Sequence, residues 1–138
     1  MKVVINACFG GFSLSKAAML RYAELKGLSV TVEDKDSFVG PSYWLEPDPA
    51  KRENQDNFYL LTLEERQASN QRHAAQRLHE RNISRSDPTL VEVVEELGKK
   101  AAGAYASLKI VEIPDDVKFE IKEYDGYEHV AEVHRTWS

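Results

Sequence analysis

The chain has 138 residues, of which 42% are hydrophobic and 30% charged, and its formal net charge is −5. That length suits one compact domain, and the mixture is that of a soluble globular protein rather than a disordered one. No apolar run approaches the roughly 18 residues of a membrane helix. The single cysteine, Cys8, excludes an internal disulfide framework and a cysteine-rich zinc site. An acidic chain disfavours duplex nucleic acid, yet leaves room for a small anionic ligand that needs only a few local donors. The first residues lack the long apolar core of a signal peptide, so the expected compartment is the cytoplasm.

Residues 2–6 read as a short buried strand, because Val3, Val4 and Ile5 are continuous and β-branched. A turn follows around Gly10-Gly11. Residues 14–26 read as a helix, with Leu14, Ala17, Ala18, Arg21, Tyr22 and Leu25 along one side, Ser13 or Ser15 as N-cap and Gly27 as the stop. Residues 28–33 alternate as a half-buried strand. From residue 34 to 57 the signals are those of loop (Gly40-Pro41, Pro47, Pro49), with a strand expected over 58–61. Thr62-Leu63-Glu64-Glu65 has the spacing of a capping box and opens a polar stretch to about Arg81, which as a helix packs weakly or against a partner chain. Asp87-Pro88 starts a sharper helix, striped by Leu90, Val94, Leu97 and Ala101 and ended by Gly103, with Glu95 and Glu96 placed to pair with Lys99 and Lys100. Residues 108–113 suit a central strand. Residues 117–122 alternate strictly, Asp125-Gly126 signals a type I′ hairpin, and a return strand runs from Tyr127 to about Arg135. The expected fold is α+β over residues 1–138: a small, mostly antiparallel sheet with an N-terminal strand–helix unit and a C-terminal helix followed by a β-hairpin.

The turn Cys8-Phe9-Gly10-Gly11-Phe12-Ser13 carries the main chemical signal. Its glycines let a ligand approach the backbone, the following helix start suits a phosphate, and the two phenylalanines can stack on a base. The same residues also fit a tight strand-to-helix turn with two buried phenylalanines. Neither a Walker loop nor a dinucleotide fingerprint is present. Cys8 next to a helix start, with His129 or His134 as base, is a weak nucleophile reading beside that of a small buried residue. His73 and His79 are six apart, His129 and His134 five apart; no pair has metal-ligand spacing. Arg21, Arg81 and above all Arg85, just before a helix start, are candidate phosphate ligands or plain surface charge. Arg66, Arg72, Arg77 and Arg81 read as a solvated face. Neither Asp115-Asp116 nor Glu123 with Asp125 has a partner that makes it catalytic, although Asp87 or Asp125 can accept from a ribose hydroxyl. Arg135 and Trp137 in the tail suit a docked anchor or a stacking plane over a ligand.

Three segments together resemble a known family. They are residues 1–6 with Cys8-Phe9-Gly10-Gly11-Phe12 and Ser13-Leu14-Ser15; Asp87-Pro88 with residues 90–98; and residues 111–117 with Glu123-Tyr124-Asp125-Gly126, ending His134-Arg135-Thr136-Trp137. The chain resembles the bacteriophage Thoeris anti-defence protein one family at both ends, whereas residues 34–83 have no counterpart in it. The resemblance implies a phage protein in the cytoplasm of an infected bacterium. Such a protein binds cyclic ADP-ribose-type immune signals and sequesters them without cleavage, with no cofactor or metal. It implies a homo-oligomer, a dimer or a hexamer, with ligand sites between protomers, and in some members further sites for cyclic oligonucleotides. By motif it carries over Phe9, Gly10, Gly11, Phe12, Arg85, Arg135 and Trp137 as ligand-binding residues. A small nucleotide hydrolase acting on the same signals, and a host-protein-binding module, are the alternatives.

Overall fold

Val3, Val4 and Ile5 are buried in the computed structural model, which describes residues 1–34 and 41–133. They belong to β1 (Lys2–Asn6), paired antiparallel with β5 (Leu108–Glu112) in the register Val4 to Ile110. A strand buried on both faces must still satisfy its other edge. Here the Val4 N–H donates to the Arg85 carbonyl at 2.8 Å, and the Asn6 N–H donates to the Glu128 carboxylate at 2.7 Å.

Two helices cover this core. In α1 (Lys16–Leu25) the hydroxyl of Ser15 accepts from the Ala18 N–H, so Ser15 is the cap. The buried stripe is Ala18, Met19, Tyr22 and Ala23, rotated from the expected one: Ala17 is exposed and Leu25 is partly so. In α3 (Pro88–Leu97) the apolar face is Leu90, Val91, Val93 and Val94. This helix stops at Gly98, whose φ is +58°, rather than at Gly103; residues Gly98–Ala101 continue as a 3-10 turn. The expected pairs within α3 are therefore replaced. Glu95 binds Lys2 at 2.8 Å and Glu96 binds Arg21 at 3.0 Å. β6 (Phe119–Tyr124) and β7 (Tyr127–Glu132) form the expected hairpin, and Asp125 and Gly126 have φ of +50° and +88° as a type I′ turn requires.

The protein is mixed α and β, with antiparallel sheets, an N-terminal strand followed by a helix, and a late helix followed by a hairpin. The chain nevertheless divides into two compact units where the sequence reads as one domain: Met1–Lys26 with Ile83–Ser138, and Gly27–Asn82. No linker-like composition marks either boundary, because the second unit builds its own sheet from short strands. These are β2 (Thr31–Glu33), β3 (Ser42–Trp44) and β4 (Arg77–Leu78), in that order and antiparallel. β3 falls where loop is expected, and Phe58–Leu60 is a 3-10 turn rather than a strand. The capping box opens α2 (Leu63–Ala75), in which Ser69 is the one buried residue, so the helix packs as weakly as its composition implies. Of the arginines read as a solvated face, Arg72 and Arg81 are exposed, whereas Arg66 and Arg77 are half-buried. Arg72 grips Glu53 through two bonds of 2.9 Å, and Arg77 has left the helix for β4 and lies over the Trp44 ring.

Asp87 joins both helices of the first unit. Its carboxylate accepts from the Thr89 N–H at 2.9 Å and from the Tyr22 hydroxyl at 2.7 Å, with the Lys26 ammonium 3.3 Å away. Burial alone would raise this carboxyl, but the three donors outweigh it and hold the group below its ordinary 3.8. Such a group adds stability that is complete above the ordinary value and is lost as pH falls through the lower folded value. The urea midpoint of the protein should therefore drop on acidification through that window. Asp87→Asn, which can still cap, should lose about 1–2 kcal/mol at neutral pH and flatten the acid dependence; identical acid profiles for the two proteins would contradict the assignment.

Candidate functional site

β1 ends in a buried polar residue, Asn6, and everything around the glycine turn is tied to it. Its Nδ2 donates to the carbonyls of Cys8 and Gly126, both at 2.8 Å, and its Oδ1 accepts from the Ser107 N–H at 2.9 Å and from the Cys8 thiol at 3.3 Å. A fully buried amide with four partners fixes three segments against one another: the turn after β1, the loop before β5 and the hairpin tip.

Two glycines make these approaches possible. A Cβ on Gly10 would lie 1.7 Å from the Tyr105 carbonyl oxygen, and one on Gly126 would lie 2.6 Å from the Gly11 nitrogen. Gly11 has open space around it but a φ of +87°, the left-handed region. Among the described residues, the N–H groups of Phe9, Gly10, Gly11 and Phe12 donate to no other group, so a run of four backbone donors is left for solvent or a ligand. The glycines do not share a helix start, however. α1 begins only at Lys16, after Leu14 has bridged to Ala102, so the dipole of that helix is not part of the turn.

The two phenylalanines differ. Phe9 is 64% exposed and meets the Tyr127 ring at 5.4 Å with a tilt of 49°. Tyr105 and Tyr124 are also exposed, the latter opposite Tyr127 across the hairpin. Phe12 is half-buried and carries the Arg85 guanidinium 3.4 Å from its ring centre. Arg85 in turn makes a two-pronged pair with Glu128, at 2.7 and 2.9 Å, and donates to the Val4 carbonyl at 3.3 Å. The arginine expected to clamp a phosphate is thus already matched by a buried carboxylate. Phe12 and Arg85 pack against one another beneath the turn, while Phe9 and Gly10 are its exposed residues. Arg21 is likewise engaged, by Glu96 and Glu24.

The Cys8 thiol has two acceptors for its one hydrogen, the Tyr105 carbonyl at 3.0 Å and the Asn6 Oδ1 at 3.3 Å. Both partners are acceptors, so the sulfur serves as a tie between turn and loop. Among the described residues no cluster of His, Cys, Asp or Glu has metal-binding geometry, and no helix is long and apolar enough to cross a membrane. Arg135, Trp137 and His134 lie outside the described residues. Asn6 and Glu128 are the two organising residues that the sequence did not single out. The available signal was a polar residue closing an apolar strand for Asn6. For Glu128 there was none, since it reads as the solvent-facing position of an alternating strand. Comparison with protein-family models, curated proteins and solved structures finds no match for this chain.

The two turn glycines should respond differently to alanine. Gly11→Ala meets only the left-handed backbone cost, about 1–2 kcal/mol. Gly10→Ala must displace the backbone of Tyr105 and with it the Cys8 and Ser107 ties, so its loss of stability by urea denaturation should be clearly larger. Equal tolerance of both would contradict the packing described.

Proposed function

We propose that the chain is a non-enzymatic binder that sequesters cyclic ADP-ribose-type signals, as a phage anti-defence sponge of the kind the sequence resembles. The observation that carries this reading is the exposed Phe9–Tyr127 pair beside the four unused N–H donors of residues 9–12. A sponge needs a plane for a base and donors for a pyrophosphate, and this turn offers both on one backbone that Asn6 holds rigid. In this reading adenine stacks on Phe9, with Tyr127 or Tyr105 beside it, and phosphate oxygens meet the N–H groups around Gly10 and Gly11. Arg85 and Phe12 act as positioning residues. A rigid site and a cyclic ligand each lose little freedom on binding, which favours the nanomolar affinity, roughly −12 kcal/mol, that a sponge requires. A homo-oligomer, with a second copy completing the site, belongs to the same reading.

A second reading, docking on a partner protein, rests on the exposed Tyr59, Leu60 and Leu63 around the start of α2. It involves no small-molecule ligand.

The test is capture and release. The protein is incubated with cyclic ADP-ribose isomers, free ligand is removed by filtration, and the protein is heat-denatured and its released material run by HPLC. Depletion of one isomer and its recovery intact is the expected result. Phe9→Ala should weaken capture by about 1–3 kcal/mol, the worth of one stacked base. New products would make the protein a hydrolase, and no depletion of any isomer would overturn the proposal.

A further inference from the structure

The unit Gly27–Asn82 has a cationic cavity that the site above does not use. It measures about 220 Å³ and is lined by His73, Ala74, Arg77, His79, Arg81 and Asn82. In a chain of net charge −5, no carboxylate among the described residues lines it. Among the described residues, neither Arg77 nor Arg81 forms an ion pair. Arg77 spends one nitrogen on the Ser42 hydroxyl at 3.3 Å and lies 5.6 Å from the Trp44 ring centre, but its Nε is buried and has no hydrogen-bond partner there. A buried guanidinium donor left over in this way asks for an acceptor. His79 accepts the Arg81 N–H at its Nδ1, at 3.1 Å, which puts the proton of the neutral ring on Nε2 as a further donor. Burial, with Arg77 and Arg81 nearby, holds His79 below its ordinary 6.5 against the opposing pull of Glu80, so the neutral ring is the form to consider at neutral pH.

We propose that this cavity binds the phosphate group of a phosphomonoester, through the Arg77 and Arg81 guanidinium groups, the His79 Nε2 and the Asn82 amide. Donors from four side chains, two of them guanidinium groups, suit a doubly charged tetrahedral anion with three terminal oxygens. The volume lies below the range of about 300–1,000 Å³ of drug-sized pockets, so it holds a phosphate and the atoms next to it rather than a whole dinucleotide. The site lies wholly within residues 73–82 and is independent of the turn and of the sponge reading.

The test is a titration with inorganic phosphate and, separately, ribose 5-phosphate, followed by NMR of the His79 ring, the Asn82 side-chain amide and the Arg77 Nε. Both ligands should shift these three signals saturably in the millimolar range or below. Tighter binding of ribose 5-phosphate would identify a small-molecule ester as the natural form; equal binding would show that the phosphate alone is read. Arg81→Gln should weaken binding roughly tenfold or more. Its side chain is exposed and makes no hydrogen bond or ion pair to another described residue, so the fold should be kept. Lys122→Gln removes the same charge from the exposed hairpin and should leave binding unchanged. Absence of a saturable shift with either ligand, or equal weakening by the two substitutions, would overturn the proposal.

Discussion

The pair between Arg85 and Glu128 is the interaction on which the rest of the first unit depends. A carboxylate only 6% exposed is costly unless its charge and lone pairs are met. Here one oxygen takes the Asn6 N–H and one arm of Arg85, the other takes the second arm, and the guanidinium rests over the Phe12 ring. Glu128 thereby does what a neighbouring strand would do for the free edge of β1. Arg85 contributes twice more, with its own carbonyl and with its bond to Val4. A charged pair, rather than a further strand, joins β1, the start of α3 and the hairpin.

That arrangement explains the character of the turn above it. Because Asn6, Gly126 and the Tyr105 carbonyl immobilise residues 8–11 from inside, no polar group of the turn's outer side is needed to hold it. Its N–H groups are left without a partner among the described residues, and the Phe9 ring is exposed. Preorganisation of this sort costs affinity least at the moment of binding. The same logic separates two arginine environments in the molecule: Arg85 is neutralised within the fold, whereas Arg77 and Arg81 line one cavity and form no ion pair among the described residues.

Local signals made much of the fold legible. Val3-Val4-Ile5, Asp87-Pro88 and Asp125-Gly126 each name their element, because a buried β-branched run, a capped helix start and a left-handed turn are properties of neighbouring residues. The second unit was harder to read. β2, β3 and β4 are three, three and two residues long, too short for alternation to show, and β3 sits among prolines that read as loop. At the site, the glycines announced the turn, but not which of its sides faces out. The roles of Phe9 and Phe12, identical in pattern, are set by Tyr127 and Arg85. Glu128 meets Arg85 across 43 residues of sequence, and Asn6 meets Gly126 across 120. A buried carboxylate and a buried amide are recognisable only once those partners are in place.

The account turns on Arg85 and Glu128 acting as one unit, and a double-mutant cycle measures that directly. Chemical denaturation of the wild type, Arg85→Ala, Glu128→Ala and the double variant gives the coupling between them. Each single variant should lose about 3 kcal/mol or more by stranding its partner's charge, and the double variant should lose much less than the sum of the two. Additive losses would contradict the account and return Arg85 to the candidate phosphate ligands.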